Sequence, residues 1–405
     1  MGFQQGLSGL NASSKALDTI GNNIANSGTV GFKSSATLFG DVYAASLGGG
    51  GQVGIGTSVS GISQQFTQGN VTVSNNPLDI AINGQGLFRL NNNGAITWTR
   101  NGQFNIDKSG YVVNSSGYRL TGYLANAANV IVPSTPADIL INTADLQPQP
   151  TGNSGAGVAI GLNLDSRESV IATAFLASDP TTYNSSTSAT VYDTLGNPHL
   201  MSLYFKKSGA NTWNLFTNLD GGAASAATGL TFNSTGGLTL PPGGLVAQSF
   251  AIASGATTPL AFNLNLTGST QYGNIFGVNN IAQDGYTSGR LAGLSVSPDG
   301  TVQGRYSNGQ TRDLARVVLG NFNNPNGLSS LGANQWAETA DSGQPLVGGP
   351  GSGSLGVLQS GAIEESNVDL TAELVLLITQ QRAYQANAQT IKTQDSILQT
   401  LVNLR

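Results

Sequence analysis

Side chains that could carry out chemistry are scarce in this sequence. His199 is the single histidine among 405 residues, and cysteine is absent. A histidine-based metal site needs further ligands, and a catalytic triad needs a nucleophile and a carboxylate beside its histidine, so one histidine after a turn-like Asn197-Pro198 supplies too few parts. The sequence therefore predicts neither an enzyme nor a metalloprotein, and it indicates no cofactor.

The acidic residues and two glycine-rich matches have simpler structural interpretations. Most carboxylates lie in turn sequences, as Asp107, Asp220 and Asp299 do, where short acidic side chains accept backbone hydrogen bonds. The Gly-x-Gly-x-x-Gly pattern occurs at 49–54 and at 351–356, but 55 glycines in 405 residues give about one match by chance. Neither match opens a helix directly after a strand, so both are predicted to be flexible loops.

The composition excludes several classes of protein. Only 9% of the residues are charged, against a usual share of about a quarter, and the net charge of −5 includes no basic stripe that could neutralise phosphates. Nucleic acid is therefore not an expected partner. No stretch approaches the roughly 18 apolar residues of a spanning helix, and residues 1–6 lack a basic leader and an apolar run. If the protein is secreted, we expect export without a cleaved signal peptide.

A helical period is confined to the two ends of the chain. The N-terminal pattern predicts an amphipathic helix with the apolar row Leu7, Leu10, Leu17, Ile20 and Ile24. Gly6 and Gly9 cost about 1 kcal/mol each relative to alanine, which predicts that the first two turns are weak. The C-terminal pattern is a longer heptad row, Leu370, Leu377, Tyr384, Ile391 and Leu398, beside Leu374, Ala388 and Val402.

The two helices are predicted to pair in a coiled-coil-like arrangement. A short helix with one apolar stripe gains most of its stability from packing, and the other terminal helix is the simplest partner. Ser366, Asn367 and Asp369 offer cap side chains for the C-terminal helix. Heptad rows serve intramolecular packing more often than assembly, but the glycine-bounded isolation of both helices favours assembly.

Between the helices the sequence predicts β-hairpins. One runs through Asn93-Gly94 and another through Pro298-Asp299-Gly300, both typical turn sequences between apolar strands. The fold class is therefore mixed and mainly β, in a nested multidomain subunit. The predicted domains are 1–26, an N-terminal assembly helix; 27–70, an extended connecting segment; 71–145 with 285–361, a discontinuous inner β-domain; 146–284, an inserted outer β-domain; and 362–405, a C-terminal assembly helix.

Two motifs at opposite ends carry a family resemblance. The N-terminal motif consists of Leu10, Leu17, Asp18, Ile20, Asn22, Asn23, Ile24, Ala25, Asn26, Thr29, Gly31, Phe32 and Lys33. The C-terminal motif consists of Asn367, Leu370, Leu374, Leu377, Gln381, Arg382, Tyr384, Asn387, Ile391, Thr393, Asp395, Leu398 and Leu401. Together they resemble the axial proteins of the bacterial flagellum, the rod, hook and hook-associated subunits. Residues 84–88, 99–104 and 120–123 extend the similarity towards the hook subunits of that family.

The resemblance implies a structural subunit that self-assembles into a flexible helical tube and transmits motor torque from rod to filament. It implies an extracellular position in the flagellar hook and no small-molecule substrate. The implied partners are further copies of the chain, the distal rod protein, the hook cap protein, the hook-filament junction protein and the flagellar type III export apparatus. Both motifs would then be assembly segments.

Three alternatives stay open at this stage. A distal rod subunit shares both end motifs but resembles a shorter chain without the inserted domain. A secreted β-rich adhesin or glycan-binding protein, or a polysaccharide lyase, would explain the Gly- and Asn-rich composition but not the paired heptad ends. Asn22, Asn23 and Asn26 could also simply cap the N-terminal helix.

Overall fold

The computed structural model describes residues 2–42, 54–126 and 129–403. The chain divides into two compact units. Unit 1 comprises the described parts of Met1–Thr143, Gly293–Arg305 and Thr311–Arg405, and unit 2 comprises Ala144–Ala292 and Tyr306–Gln310. The chain thus leaves unit 1 after Thr143 to build most of unit 2, returns at Gly293, and enters unit 2 again only for Tyr306–Gln310.

The secondary structure is mainly β between two long helices. The first part of unit 1 contains α1 (Gly2–Ala25), β1 (Ser35–Val42), β2 (Gly56–Gln64), β3 (Val71–Val73), β4 (Ile80–Asn83), β5 (Leu87–Asn92), β6 (Ala95–Thr99), β7 (Asn105–Ile106), β8 (Val112–Val113), β9 (Arg119–Leu124) and β10 (Ala137–Asp138). Unit 2 contains β11 (Val158–Asp165), β12 (Ser185–Tyr192), β13 (Pro198–Gly209), β14 (Thr212–Leu219), β15 (Thr228–Phe232), β16 (Leu238–Leu240), β17 (Leu245–Phe250), β18 (Leu260–Asn265), β19 (Thr270–Tyr272) and β20 (Gly277–Gln283). The last part of the chain contains β21 (Leu291–Val296), β22 (Thr301–Tyr306), β23 (Thr311–Val317), β24 (Leu319–Asn321), β25 (Ser329–Gly332), β26 (Gln335–Ala337), β27 (Leu346–Gly348), β28 (Val357–Ser360), β29 (Ala362–Glu364) and α2 (Leu370–Asn403).

The main sheet of unit 1 combines strands from both halves of the chain. Its order is β21-β22-β23-β9-β5-β6-β26-β25, with shorter strands off this path. The hairpin between β5 and β6 turns at Asn93 and Gly94, both with positive φ (49° and 101°), as the sequence predicts for this pair. Beneath the sheet Trp98 packs edge-on against Phe322, with ring centroids 5.1 Å apart. Gly320 leaves room for the Trp98 ring, since a Cβ there would lie 2.1 Å from it.

Unit 2 consists of two five-stranded sheets that share one core. One sheet has the order β12-β13-β14-β15-β16, and the other has the order β17-β18-β11-β19 with β20 paired to β11. Side chains alternate between buried and exposed along β17 and β18, which is the pattern of strands with one covered face. The shared core includes Val158, Ile160, Leu203, Phe205, Trp213, Leu215, Val246 and Leu264. Alternating apolar residues therefore explain both the strands and their packing.

The predicted fold class, mixed and mainly β with paired terminal helices, is confirmed. The segment predicted as an extended connection, 27–70, holds the antiparallel hairpin β1–β2, with a register shift between Leu38 and Phe39. The glycine-rich match at 49–54 lies almost wholly outside the described residues. The second match, 351–356, forms a loop between β27 and β28, closed by a Gly351 N–H to Gly356 carbonyl hydrogen bond of 3.0 Å.

Candidate assembly surface

Helices α1 and α2 pack side by side in opposite directions. Three contacts fix their alignment: Asn23 with Glu373, Gly9 with Asn387, and Gly6 with Ile391. Residue numbers along α2 increase in the direction in which those along α1 decrease, so the two helices are antiparallel. Residues 395–403 of α2 extend beyond the first residue of α1, and the apolar row of α2 continues there without α1 beside it.

Gly6 and Gly9 lie where the two helices approach each other closely. A Cβ on Gly9 would lie 2.7–2.9 Å from three atoms of the Asn387 side chain, and a Cβ on Gly6 would lie 2.9 Å from Ile391 Cγ1. The expectation that these glycines weaken the first two turns is wrong for this structure, because α1 begins at Gly2. Close packing against α2 compensates for their low helix propensity.

We expect a leucine at Gly9 to push α2 away from α1. Gly9→Leu should destabilise the helix pair by about 1–3 kcal/mol, the usual cost of overpacking. Gly21→Leu is the matched control on the same helix, since a Cβ on Gly21 meets no atom within 4 Å. Thermal unfolding followed by circular dichroism at 222 nm should show an earlier loss of helix for Gly9→Leu alone. Equal melting of the two variants would contradict this close approach.

The buried face of α1 is formed by small and polar residues together with Ile20, a member of the sequence-predicted apolar row. The small and polar residues are Ala12, Ser13, Ala16, Thr19 and Asn23. The rest of that row, Leu10, Leu17 and Ile24, lies about 100° away around the helix and is only partly buried. Further along this side of α1 lie Phe3 and Leu7, which are 48% and 44% exposed. Apart from Ile20, the large apolar residues of α1 thus remain at least partly accessible, because mainly small and polar residues form its buried face.

The heptad row of α2 lies on the α1-facing side only in part. Leu377 and Ile391 are partly buried on that side, whereas Leu398 and Val402, beyond the start of α1, are 55% and 74% exposed. The side chain of Leu401 is outside the described part of the structure. A second apolar group on the first turns of α2 is exposed and consists of Leu370, Leu374, Val375, Leu376 and Ile378. We call Leu374, Val375 and Ile378 the α2 outer row.

The asparagines of the N-terminal motif have two different roles. Asn26 and Asn22 cap the end of α1, since the Asn26 Nδ2 donates to the Asn22 carbonyl at 2.9 Å and Thr29 Oγ1 donates to Asn26 Oδ1. Asn23 is buried and does not cap. Its Nδ2 donates to Glu373 Oε1 (2.9 Å) and to the Ser35 carbonyl (2.8 Å), and its Oδ1 accepts from the Ser35 N–H. Asn23 therefore joins α1, α2 and β1.

Gly31 and Asn367 fasten the segments next to the helices. Gly31 has φ +70°, and a Cβ there would lie 2.7 Å from Asn101 N, so this position requires glycine. The Asn367 Oδ1 accepts from the Ser34 N–H at 2.7 Å, and its Nδ2 donates to the Gln65 carbonyl at 2.7 Å. Asp369 is the N-cap of α2, with its Oδ1 accepting from the Thr371 and Ala372 N–H groups. These contacts anchor both helices to unit 1.

Lys33 belongs to a buried charge cluster with Glu364 and Arg100. Its Nζ lies 2.7 Å from Glu364 Oε1, and Arg100 Nε lies 2.5 Å from Glu364 Oε2; the three side chains are 1–5% exposed. Burial lowers the pKa of Lys33 from its ordinary value, and the Glu364 carboxylate opposes that shift. Arg100 also donates to the Ile82, Gly84 and Gly86 carbonyls. One carboxylate thus holds two cations from distant parts of the chain.

Glu364 lies outside both sequence motifs. Its signal is indirect: Lys33 lies in the N-terminal motif and Arg100 in the segment 99–104, and burying both cations requires a carboxylate. The remaining polar motif residues are exposed and consist of Asp18, Gln381, Arg382, Thr393 and Asp395. Ala25 at the end of α1 is also exposed, whereas Phe32 in the following segment is half-buried. Asp18 pairs with Lys15 at 3.5 Å. The exposed side chains are free to face other molecules.

The described residues contain no group of three or more His, Cys, Asp or Glu that could hold a metal ion. Within the same residues, neither helix combines the length and the apolar content of a membrane-crossing segment. What distinguishes the surface is the apolar area of α1 and α2. An arrangement of this kind can bind another apolar surface.

Comparisons with known proteins assign the chain to a family. Four family models match: flagella basal body rod protein at residues 3–33, flagellar hook protein FlgE/F/G D1 domain at 81–145, flagellar basal body protein FlaE D2 domain at 163–286, and flagellar basal body rod FlgEFG protein C-terminal at 359–404. The flagellar hook protein FlgE of Escherichia coli K12 is 43% identical over 425 residues, covering 100% of both chains. The chain belongs to the flagellar hook protein family.

Other members of the hook protein family support the assignment over the whole length. The hook protein of Salmonella typhimurium is 44% identical, covering 100% of both chains, and that of Borreliella burgdorferi is 32% identical, covering 99% of this chain and 98% of the relative. The crystal structure of Helicobacter pylori flagellar hook protein FlgE2 has a TM-score of 0.52 at 13% identity and covers 73% of this chain and 99% of that one. It supports the fold alone.

Family membership settles the general function. The chain is a structural subunit of the flagellar hook and forms part of a flagellar polymer in the bacterial flagellum. The prediction that it is not an enzyme is confirmed by the family, which is structural. The full-length similarity to hook proteins also disfavours the distal rod, adhesin and lyase alternatives.

Proposed function

We propose that the chain polymerises through α1 and α2 into a flexible helical tube that transmits motor torque from the rod to the filament. The observation that carries this proposal is the uncovered apolar surface of both helices. Leu7 on α1 is 44% exposed, and Leu374 and Ile378 on α2 are 45% and 50% exposed. Burying such a side chain contributes about 1.5–3 kcal/mol, so several per subunit favour association.

The two motifs would serve assembly in different ways. Exposed residues such as Leu370, Leu374 and Leu398 would contact neighbouring subunits. Buried residues such as Asn23 and Lys33 would hold the helices in a fixed position on unit 1, so that a contact made by a helix is transmitted to the β-structure. This division is supported by the burial of the second group and the exposure of the first.

The β-domains would form the outer layers of the tube around the terminal helices. The nested order of the predicted domains, with 71–145 and 285–361 around 146–284, is compatible with a chain that starts and ends at the tube's inner wall. A bending tube needs outer contacts that slide. The 9% share of charged residues suits sliding, because neutral polar side chains form few strongly directional ion pairs.

The specific partners are proposed from the family resemblance. They are the distal rod protein at one end of the hook, the hook cap protein and the hook-filament junction protein at the other, and the flagellar type III export apparatus. Export without a cleaved signal peptide would place the subunit outside the cell. These partners would meet the same terminal helices that join one subunit to the next.

Removing residues 144–290, which form most of unit 2, tests whether the terminal helices suffice for assembly. We expect a chain that joins Thr143 to Leu291 through a short Gly/Ser linker to keep β21 intact, to fold and to form tubes with less mass per subunit. Electron microscopy and sedimentation of the purified variant measure this. The isolated segment 144–292 is the matched control and should neither polymerise nor bind glycans. A folded deletion variant that forms no tubes would contradict the proposal, and glycan binding by the isolated segment would favour the adhesin alternative.

A further inference from the structure

The single histidine lies between two aspartates at one end of unit 2. His199 Nδ1 is 2.6 Å from Asp220 Oδ2, and its Nε2 is 3.3 Å from Asp193 Oδ2. Asp220 directly follows β14, His199 is the second residue of β13, and Asp193 follows β12. The histidine side chain is 11% exposed and that of Asp193 is fully buried. The ring is thus enclosed by the carboxylates of two neighbouring turns.

Asp193 also connects this cluster to the other sheet of unit 2. Its Oδ2 accepts from Ser254 Oγ at 2.7 Å, and Ser254 lies in the loop between β17 and β18. A second bond joins the same loops, from the Thr257 N–H to Thr194 Oγ1 at 2.9 Å. Asp193 and Thr194 therefore link both sheets at this end of unit 2, and His199 bonds the same Asp193 carboxylate within its own sheet.

These contacts favour a proton on each ring nitrogen. An ionised carboxylate only accepts hydrogen bonds, and a neutral imidazole has one N–H donor. The second oxygen of each aspartate accepts backbone hydrogen bonds. Asp193 Oδ1 accepts from the Leu195 and Asn197 N–H groups, and Asp220 Oδ1 accepts from the Leu200 N–H group. These bonds favour the ionised form of both carboxylates. Both nitrogens of His199 can satisfy their partners only in the imidazolium form.

We propose that protonated His199 is a pH-dependent clasp that fixes the Asp193 carboxylate, and with it the β12–β13 turn that bonds the loop between β17 and β18, and that this turn loosens when the ring loses a proton. Deprotonation removes one of the two donors and leaves a nitrogen lone pair facing a carboxylate oxygen. The charged groups that act on the ring are Asp220 and Asp193, and the loop after β17 contributes the neutral hydroxyl of Ser254.

The direction of the pH dependence follows from the same contacts. Burial is the largest single influence and lowers the pKa of His199, but the hydrogen bonds and charges of Asp220 and Asp193 together outweigh it, so the pKa is raised above its ordinary value. A pKa that is higher in the folded state stabilises the fold fully below the ordinary histidine pKa of about 6.5. That stabilisation is lost as the pH rises through the raised pKa.

Nuclear magnetic resonance of the full chain, labelled with 15N-histidine and purified without a histidine tag, tests the clasp at one signal. We expect both ring nitrogens to carry protons at neutral pH and a titration midpoint above about 6.5. Asp220→Asn should lower the midpoint, because it removes one of the two negative charges beside the ring. The Asp220 side chain is 51% exposed, so this substitution leaves the core undisturbed. Asp145→Asn, at another exposed carboxylate of unit 2, should leave the midpoint unchanged. A midpoint at or below the ordinary value overturns the proposal.

Hydrogen-deuterium exchange tests the consequence for the loops. Below pH 6, peptides covering 193–200 and 251–258 should exchange at least about tenfold faster in His199→Gln than in the unmodified chain, because the variant lacks a charged hydrogen bond. This ratio of the two exchange rates should approach one as the pH rises through the histidine pKa. Comparing both chains at each pH cancels the intrinsic pH dependence of exchange. If the two chains exchange at the same rate below pH 6, or if the ratio of their rates grows with pH, the proposed clasp is overturned.

Discussion

Replacing Glu364 with glutamine should destabilise unit 1 by about 3–5 kcal/mol, because it leaves two buried cations without their shared carboxylate. The side chains of Lys33 and Glu364 are 1% exposed and that of Arg100 is 5% exposed, so water cannot replace the lost charge. Glutamine keeps the shape of the side chain and can still accept from the Gly69 N–H, which bonds Glu364 Oε1 at 2.9 Å. The expected loss is therefore electrostatic and not a packing defect.

Tryptophan fluorescence during urea unfolding measures this loss in unit 1. Of the three tryptophans, Trp98 and Trp336 lie in unit 1 and Trp213 lies in unit 2, so a Trp213→Phe background restricts the signal to unit 1. Glu365→Gln is the matched control, since Glu365 is the exposed neighbour and should change stability by less than about 0.5 kcal/mol. If Glu364→Gln and Glu365→Gln unfold at the same urea concentration, the cluster does not hold the ends of the chain on unit 1.

Two aspartates on the α2 outer row should abolish polymerisation while leaving the subunit folded. In the subunit Leu374 and Ile378 are 45% and 50% exposed, so Leu374→Asp with Ile378→Asp should change its unfolding free energy little. In the proposed tube the same positions are covered by a neighbour. There each substitution removes about 1.5–3 kcal/mol of apolar burial and adds the cost of burying a charge.

The measurement is the subunit concentration needed for tubes to form, followed by sedimentation. We expect this concentration to rise by more than about a hundredfold, since each 1.4 kcal/mol changes an equilibrium constant tenfold. Leu374→Met with Ile378→Val keeps apolar volume and is the matched control, which should assemble as the unmodified chain does. A doubly aspartate-substituted chain that forms tubes normally would exclude the outer row from the contacts between subunits.

Local features of the fold were predictable because they depend on neighbouring residues. The Asn93-Gly94 turn requires two positive φ angles, and the sequence offers the pair that adopts them most easily. The C-terminal helix was predictable from its heptad row and begins at Leu370, with Asp369 as its N-cap. Here local propensity and tertiary structure agree.

The packing of α1 was not predictable from its large apolar residues. Of the predicted apolar row, Ile20 is buried but Leu10, Leu17 and Ile24 are only partly buried, and the close contacts with α2 are made at Gly6 and Gly9. Glycine has no side chain that periodicity could detect, and its low helix propensity argues against the helix that it allows to pack closely. The helix propensity of α1 alone predicts weak first turns, whereas both glycines pack against α2.

Long-range polar contacts were equally hidden in the sequence. Glu364 is 331 residues from Lys33 and 264 residues from Arg100, and no local pattern marks a carboxylate as the partner of such distant cations. Asn23 shows the same limitation. Its position near the end of α1 indicates a cap, but its bonds run to Ser35 and to Glu373, which lies 350 residues away.

Cryo-electron microscopy of tubes assembled from the unmodified chain would show which surfaces join the subunits. We expect a reconstruction in which α1 and α2 of neighbouring subunits contact one another and bury Leu7, Leu374 and Ile378 between subunits. We also expect Lys33, Glu364 and Arg100 to remain paired within each subunit. A tube whose subunits meet only through their β-strands, with the apolar rows of α1 and α2 facing solvent, would exclude assembly through the terminal helices.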